Sequence, residues 1–223
     1  MNDPKSSSTA PGVRPPSAAA MALAAGVAGA GGAEANSKPW LDRLRSEDTS
    51  VRAEAWAAVG TLRAPAIPEL APLLSGELEL SRITRRAFER IVRYAGRPGA
   101  DSEREAAVRA LLLLLNAKHS KEARLAALWG SSEIGGEESV EPIAALLSDA
   151  DVREVACAAL ERLPGEKALA ALRAGLNQAS PDFKSRLAQS LKARGIETAS
   201  IPDARLLPSK PTKLQPLSDS QEK

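Results

Sequence analysis

The sequence predicts an all-α fold, an α-solenoid of about four to five helix pairs between residues 40 and 200. Three observations carry that prediction. First, a unit recurs: residues 48–62, DTSVRAEAWAAVGTL, align with residues 149–163, DADVREVACAALERL. Asp48, Val51, Arg52, Ala55, Ala58 and Leu62 meet Asp149, Val152, Arg153, Ala156, Ala159 and Leu163. A self-similar period of this length marks a stack of helix pairs. Second, 43% of the chain is hydrophobic but only 3% aromatic, so Ala and Leu supply the apolar surface, which suits closely packed helices better than a sheet. Third, Gly and Pro fall between the copies, where helices must stop.

The elements follow in order. Pro39 opens a short helix with Trp40, Leu41 and Leu44, and Pro is favoured at a first helical position. This helix caps the stack. Repeat one has helices near 49–62 and 66–75, with Pro65, Pro68 and Pro72 marking the second. Repeat two has helices near 80–95 and 101–115, joined by residues 96–99, a Gly-Arg-Pro-Gly turn. Repeat three spans about 120–147 with Gly135-Gly136 as its turn, and repeat four about 149–176 with Pro164-Gly165. A fifth, incomplete copy begins at Pro181. Aligning Val51, Ile83, Ala123, Val152 and Phe183 gives spacings of 32, 40, 29 and 31 residues.

The ends differ in kind. Residues 1–39 are rich in Ala, Gly and Pro and cannot bury enough surface to offset chain entropy, so they read as disordered. A secretory signal is the other reading. Lys5 and Arg14 would be its basic region, residues 18–30 its apolar run and Ala33-Glu34-Ala35 its cleavage site. That run has only Met21, Leu23 and Val27 among Ala and Gly, and Asp3 lies in the basic region. The disordered reading, with a cytoplasmic chain, is therefore favoured over export. Residues 201–223 carry Pro202, Pro208, Pro211 and Pro216 and read as a disordered tail. No stretch is long and apolar enough to span a bilayer.

The repeated unit resembles HEAT repeats, in particular the short bacterial type also found in phycobilin lyases. Asp48 with Val51-Arg52, Asp149 with Val152-Arg153, Ala123-Arg124 and Phe183-Lys184 carry the resemblance. So do the second helices around Pro68 and Pro142. Repeat two departs most, with Ile83-Thr84 where the Val-Arg pair belongs. The resemblance implies a scaffold or adaptor surface. It says almost nothing about a particular partner.

Arg52, Arg124, Arg153 and Lys184 share one repeat position and form a column. They read as fasteners to neighbouring helix starts and carbonyls, in preference to a ladder for an acidic ligand. Asp48, Asp149, Asp151 and Asp182 lie just ahead and read as helix caps. Repeat two carries another signal. Arg82, Arg86, Arg90, Arg93 and Arg97 fall within roughly 80° on a helix and form a stripe bordered by Arg85. Such a stripe suits an acidic peptide, phosphate or nucleic-acid backbone. The blander reading, pairing with glutamates such as Glu54 or Glu122, is favoured. The stripe is still the best candidate binding site in the chain.

His119 sits in a loop with no partner at a recognisable spacing, and Cys157 reads as a small buried hydrophobe. Trp40, Trp56 and Trp129 read as core, and any exposed one would be an interface anchor. One His and one Cys do not make a zinc site. The chain has no phosphate loop and no nucleophile or metalloprotease motif. Neither catalysis nor a cofactor is expected. Residues 40–200 hold 23 Lys/Arg and 23 Asp/Glu, a balance that argues against a general polyanion binder. The expected function is a non-enzymatic scaffold or adaptor that binds another protein on a concave surface lined by second helices. Nucleic-acid or phosphoanion binding through the stripe is an alternative. Another, implied by the resemblance, is a lyase-type chaperone of a tetrapyrrole protein.

Overall fold

The structure, a computed structural model, describes residues 38–198. Residues 1–37 and 199–223 lie outside the described residues, and with them the secretory-signal reading, most of the Ala/Gly/Pro-rich segment and the Pro-rich tail. The described chain forms ten α-helices and no strand. A capping helix, α1 (Lys38–Leu44), is followed by the pairs α2 (Thr49–Ala58) with α3 (Ala66–Leu70) and α4 (Leu78–Ala95) with α5 (Asp101–Leu113). Then come α6 (Lys121–Ile134) with α7 (Val140–Ala144), α8 (Arg153–Arg162) with α9 (Glu166–Gln178), and a final first helix, α10 (Pro181–Ala193). No helix among the described residues is long and apolar enough to cross a membrane.

Local sequence explains most boundaries. The Asp48 carboxylate accepts from the amides of Ser50 and Val51 and starts α2. Ser120 Oγ accepts from the Ala123 amide at 3.2 Å and starts α6, and Pro181 occupies the first turn of α10. Each such bond satisfies an amide that has no partner inside the helix. The second helix of repeat one leaves α geometry after one turn and continues as a 3-10 segment, Ala71–Ser75. Pro72 has no amide hydrogen to offer the carbonyl of Pro68, although the second helix of repeat three makes the same change at Ala145–Ser148 without a proline there. Gly165, at φ 88°, makes the predicted turn before α9. The Gly135-Gly136 turn differs from expectation: neither residue has a positive φ, and the chain leaves α6 in extended backbone.

The helices stack in two layers. First helices pack in sequence, with α4 against Val59–Leu62, then α6, α8 and α10, and second helices pack α3 against α5 and α7 against α9. The core is almost wholly aliphatic, with Phe88 and Phe183 its only fully buried aromatics among the described residues. Close packing at α6 requires a missing side chain. A Cβ on Gly130 would sit 2.9 Å from Leu111 Cδ2 and 3.3 Å from Val92 Cγ2.

Burial corrects the repeat register. Buried positions run Val152, Ala156, Ala159, Leu160 and Leu163 in α8 and Ala123, Ala127, Gly130, Ser131 and Ile134 in α6. In α4 they run Thr84, Phe88, Ile91, Val92 and Ala95. The equivalent of Val51, Ala123, Val152 and Phe183 is therefore Thr84, not Ile83. The spacings become 33, 39, 29 and 31. Thr84 is fully buried and its hydroxyl has no hydrogen-bond partner, so a polar residue occupies an apolar slot.

Two stability measurements follow. Ala156 is fully buried, and Ala156→Asp should cost about 3–5 kcal/mol by burying an unpaired carboxylate. Urea unfolding followed by circular dichroism would measure this, and an unchanged midpoint would show that the assigned core position is wrong. Thr84→Val keeps the shape and removes the unsatisfied hydroxyl, so it should stabilise the fold by about 1 kcal/mol in the same assay.

Candidate functional site

Arg52, Arg124 and Arg153 of the basic column work inside the stack, whereas the Lys184 side chain makes no hydrogen bond or ion pair among the described residues. The Arg52 guanidinium donates to the carbonyls of Ser46 and Glu47 at 2.5 and 2.8 Å. Arg124 donates to the Leu115 carbonyl at 3.2 Å and to Asp149 Oδ2 of the next repeat at 2.5 Å. Arg153 repeats that reach, meeting Asp182 at 2.5 Å and Ser180 Oγ at 3.3 Å while lying over the Phe183 ring. The fastener reading of Arg52, Arg124 and Arg153 therefore matches the structure. The reading of all four aspartates as caps is too simple. Asp48 is a cap. Asp149 accepts from the Asp151 amide and Arg124, Asp151 pairs with Lys121, and Asp182 pairs with Arg153.

With the corrected register, the member of this column on α4 is Arg85. It is exposed and has no hydrogen bond or ion pair among the described residues. The residue it would reach, by analogy with Arg124 and Asp149, is Ser120, which is occupied in capping α6. The column thus reaches the next repeat from Arg124 and Arg153, but not from Arg85 or from Arg52, whose acceptors lie in its own repeat.

The predicted stripe is only partly one surface. Arg82, Arg86, Arg90 and Arg93 lie exposed along α4. Arg97 does not belong with them. The helix ends at Ala95, and Arg97 turns back over the Tyr94 ring to pair with Glu103 through both nitrogens at 2.8 and 3.0 Å. That pairing holds the Glu103 carboxyl below its ordinary range. Arg82 makes only a loose pair with Glu79 at 3.9 Å, and Arg93 lies 5.6 Å above the Trp129 ring. Arg86 and Arg90 have no partner among the described residues. Glu54, suggested as a partner for the stripe, pairs with Arg43 instead.

His119 is a half-buried loop residue. Cys157 is fully buried with its sulfur 3.2 Å from Ser190 Oγ, and burial pushes its thiol up, away from thiolate chemistry. Trp40 is core, as expected, whereas Trp56 and Trp129 are only half-buried.

On the opposite layer, second helices leave two open clefts that sequence reasoning did not locate. One, of about 390 Å³, is lined by Arg104, Val108, Arg109 and Leu112 of α5 and by Glu138. The other, of about 360 Å³, lies between α7 and α9 and is lined by Ala144, Leu147, Ala171, Ala174 and Gly175. Leu113 at the end of α5 is 72% exposed. The signal for the second cleft was the run of small residues in α9. A Cβ on Gly175 would meet Leu147 Cδ1 at 2.7 Å, which shows how shallow its floor is.

Residues 108–192, from the middle of α5 to the end of α10, match the family model described as HEAT repeats. This stretch consists of HEAT repeats. Such repeats generally mediate protein-interaction scaffolding. No curated protein matches the chain. Among solved structures, the crystal structure of an engineered protein is similar at 21% identity, over 78% of this chain and 88% of that one, with a TM-score of 0.36.

The fasteners differ in measurable worth. The Arg124 side chain is 7% exposed, so Arg124→Ala should cost about 2–3 kcal/mol, discounted from a fully buried pair because Asp149 is partly open. Arg153→Ala should cost less than about 1 kcal/mol, since its partner is exposed. Asp149 is held below its ordinary value of 3.8, first by the Arg124 hydrogen bond and then by the Asp151 amide. Its contribution is present above that value and is lost as pH falls through the depressed one. The penalty of Asp149→Asn should therefore be largest near neutrality and should shrink below about pH 4, as urea titrations across pH would show.

Proposed function

We propose that the chain is a non-enzymatic scaffold or adaptor that binds another protein along the layer of second helices. The observation that carries this reading is the pair of open clefts on α5, α7 and α9. The α5 cleft combines the apolar Val108 and Leu112 with a polar rim of Arg104, Arg109 and Glu138, and the α7–α9 cleft is a mostly apolar floor edged by Ser148 and Gln178, a mixture that suits a protein surface. In a repeat stack each unit touches only its neighbours, so such clefts join into an extended face. The HEAT repeats over residues 108–192 support the same reading, because scaffolding is their general use.

The test is retention of a specific protein from the native host on the immobilised chain, identified by mass spectrometry. Ala174→Arg and Leu112→Glu should each reduce retention by about tenfold or more, as loss of one well-packed interface contact does. Circular dichroism would show that the fold is kept. Failure of any protein to be retained, or equal retention by both variants, would overturn the proposal.

A further inference from the structure

The first-helix layer carries a second surface, independent of the clefts. With the corrected register, three outward positions can be compared along it. On α2 they hold Ala53 and Ala57, the third falling on Gly60, which lies past the end of that helix and is buried against Tyr94, and on α4 Arg86, Arg90 and Arg93. On α6 they hold Leu125, Trp129 and Ser132, and on α8 Glu154, Ala158 and Glu161. The acids of α8 are matched by the next helix: Arg186 of α10 reaches Glu154 at 3.8 Å and Glu161 at 3.2 Å. The arginines of α4 have no such counterpart. Neither flanking helix places an acid at the equivalent positions, and no ion pair joins α4 to α2 or α6 among the described residues. Arg85, left without its rung, adds a fourth unmatched guanidinium.

We infer that this surface, Arg86, Arg90 and Arg93 with Trp129 beside them, docks an acidic amphipathic helix of a protein partner. The chain's own α8–α10 contact shows the chemistry: two glutamates seven residues apart on one helix held by arginine from another. Arg86 and Arg93 are also seven apart, about 10 Å along the axis at 1.5 Å per residue. A helix with acids at that spacing can meet both. Half-buried Trp129, under Arg93, supplies the apolar half of the contact. Arg and Trp are the side chains that dominate interface energies. The charge balance favours a protein over nucleic acid. Residues 40–200 hold equal numbers of acidic and basic residues, so the positive charge is confined to one helix and is too short to follow a duplex backbone.

The experiment uses the full chain and a fluorescein-labelled helical peptide with glutamates at seven-residue spacing and leucines between them. Its Glu→Gln counterpart and a short DNA duplex serve as comparison probes. By fluorescence anisotropy the acidic peptide should bind, and binding should weaken as salt rises through the physiological range. Arg86→Gln with Arg90→Gln should weaken binding by about tenfold or more. Neither residue has a partner in the fold, so the melting temperature should not change. Arg86→Lys with Arg90→Lys should keep part of the affinity. Trp129→Ala should weaken binding, whereas Ala174→Arg, on the opposite layer, should leave it unchanged. Equal binding of the Gln peptide, no binding of the acidic peptide, tighter binding of the duplex, or self-association of the chain through this surface would each overturn the inference.

Discussion

The stack depends on the close approach of consecutive first helices, and that approach depends on small side chains. Ala127, Ala156 and Ala159 are buried, and Gly130 leaves room for Leu111 and Val92. Helices lined with Ala and Gly pack backbone to backbone, so many weak dispersion contacts replace the large aromatic residues this chain lacks. Everything polar is then arranged around that packing. Carbonyls left open at helix ends and loops face the next repeat, and arginines fill them: Arg194 donates to Leu160, Leu163 and Gly165 carbonyls, and Arg104 to that of Ile134.

Charge in this protein is therefore mostly architecture. On the first helices from α6 onward, Arg124, Arg153, Arg162, Arg186 and Arg194 each end on an acid or a carbonyl in a neighbouring element, and little of their charge is left for a partner. The exception is α4. It is the longest helix among those described, and it carries arginines where its neighbours carry small or apolar residues. A fold that uses arginine so consistently as a fastener makes unfastened arginine informative.

The fold was legible because its signals are local. Asp48 and Ser120 start helices wherever they occur ahead of an amphipathic run, and the Val-Arg spacing reports the period directly. The register of repeat two was not legible. Ile83 looks like the apolar residue that the slot requires, and only burial shows Thr84 in its place. The stripe was legible except at its end: Arg97 has helical spacing, but the helix stops two residues earlier and Glu103 captures the side chain. The clefts of the second layer were barely legible, the small residues of α9 being the one mark of the second. They arise from gaps between α5, α7 and α9, whose depth is set by tertiary packing and leaves no periodic mark in the chain.

Among the described residues, the rungs that reach from one repeat to the next stand only in the C-terminal half of the array. The junctions α6–α8 and α8–α10 are held in part by carboxylates: Asp149, Asp151 and Glu133 on one side, Asp182, Glu154 and Glu161 on the other. Acid weakens the pairs of Asp149 and Asp182, whose carboxyls the fold holds below their ordinary range, and high salt screens the exposed pairs. Between repeats two and three the first helices meet without an ion pair among the described residues, through Arg93 over the Trp129 ring, and the ion pair of that junction, Arg104 with Glu138, lies in the other layer. Ion pairing between consecutive first helices is thus confined to the C-terminal half of the array, and acid acts on that layer there and on the other layer at Glu138.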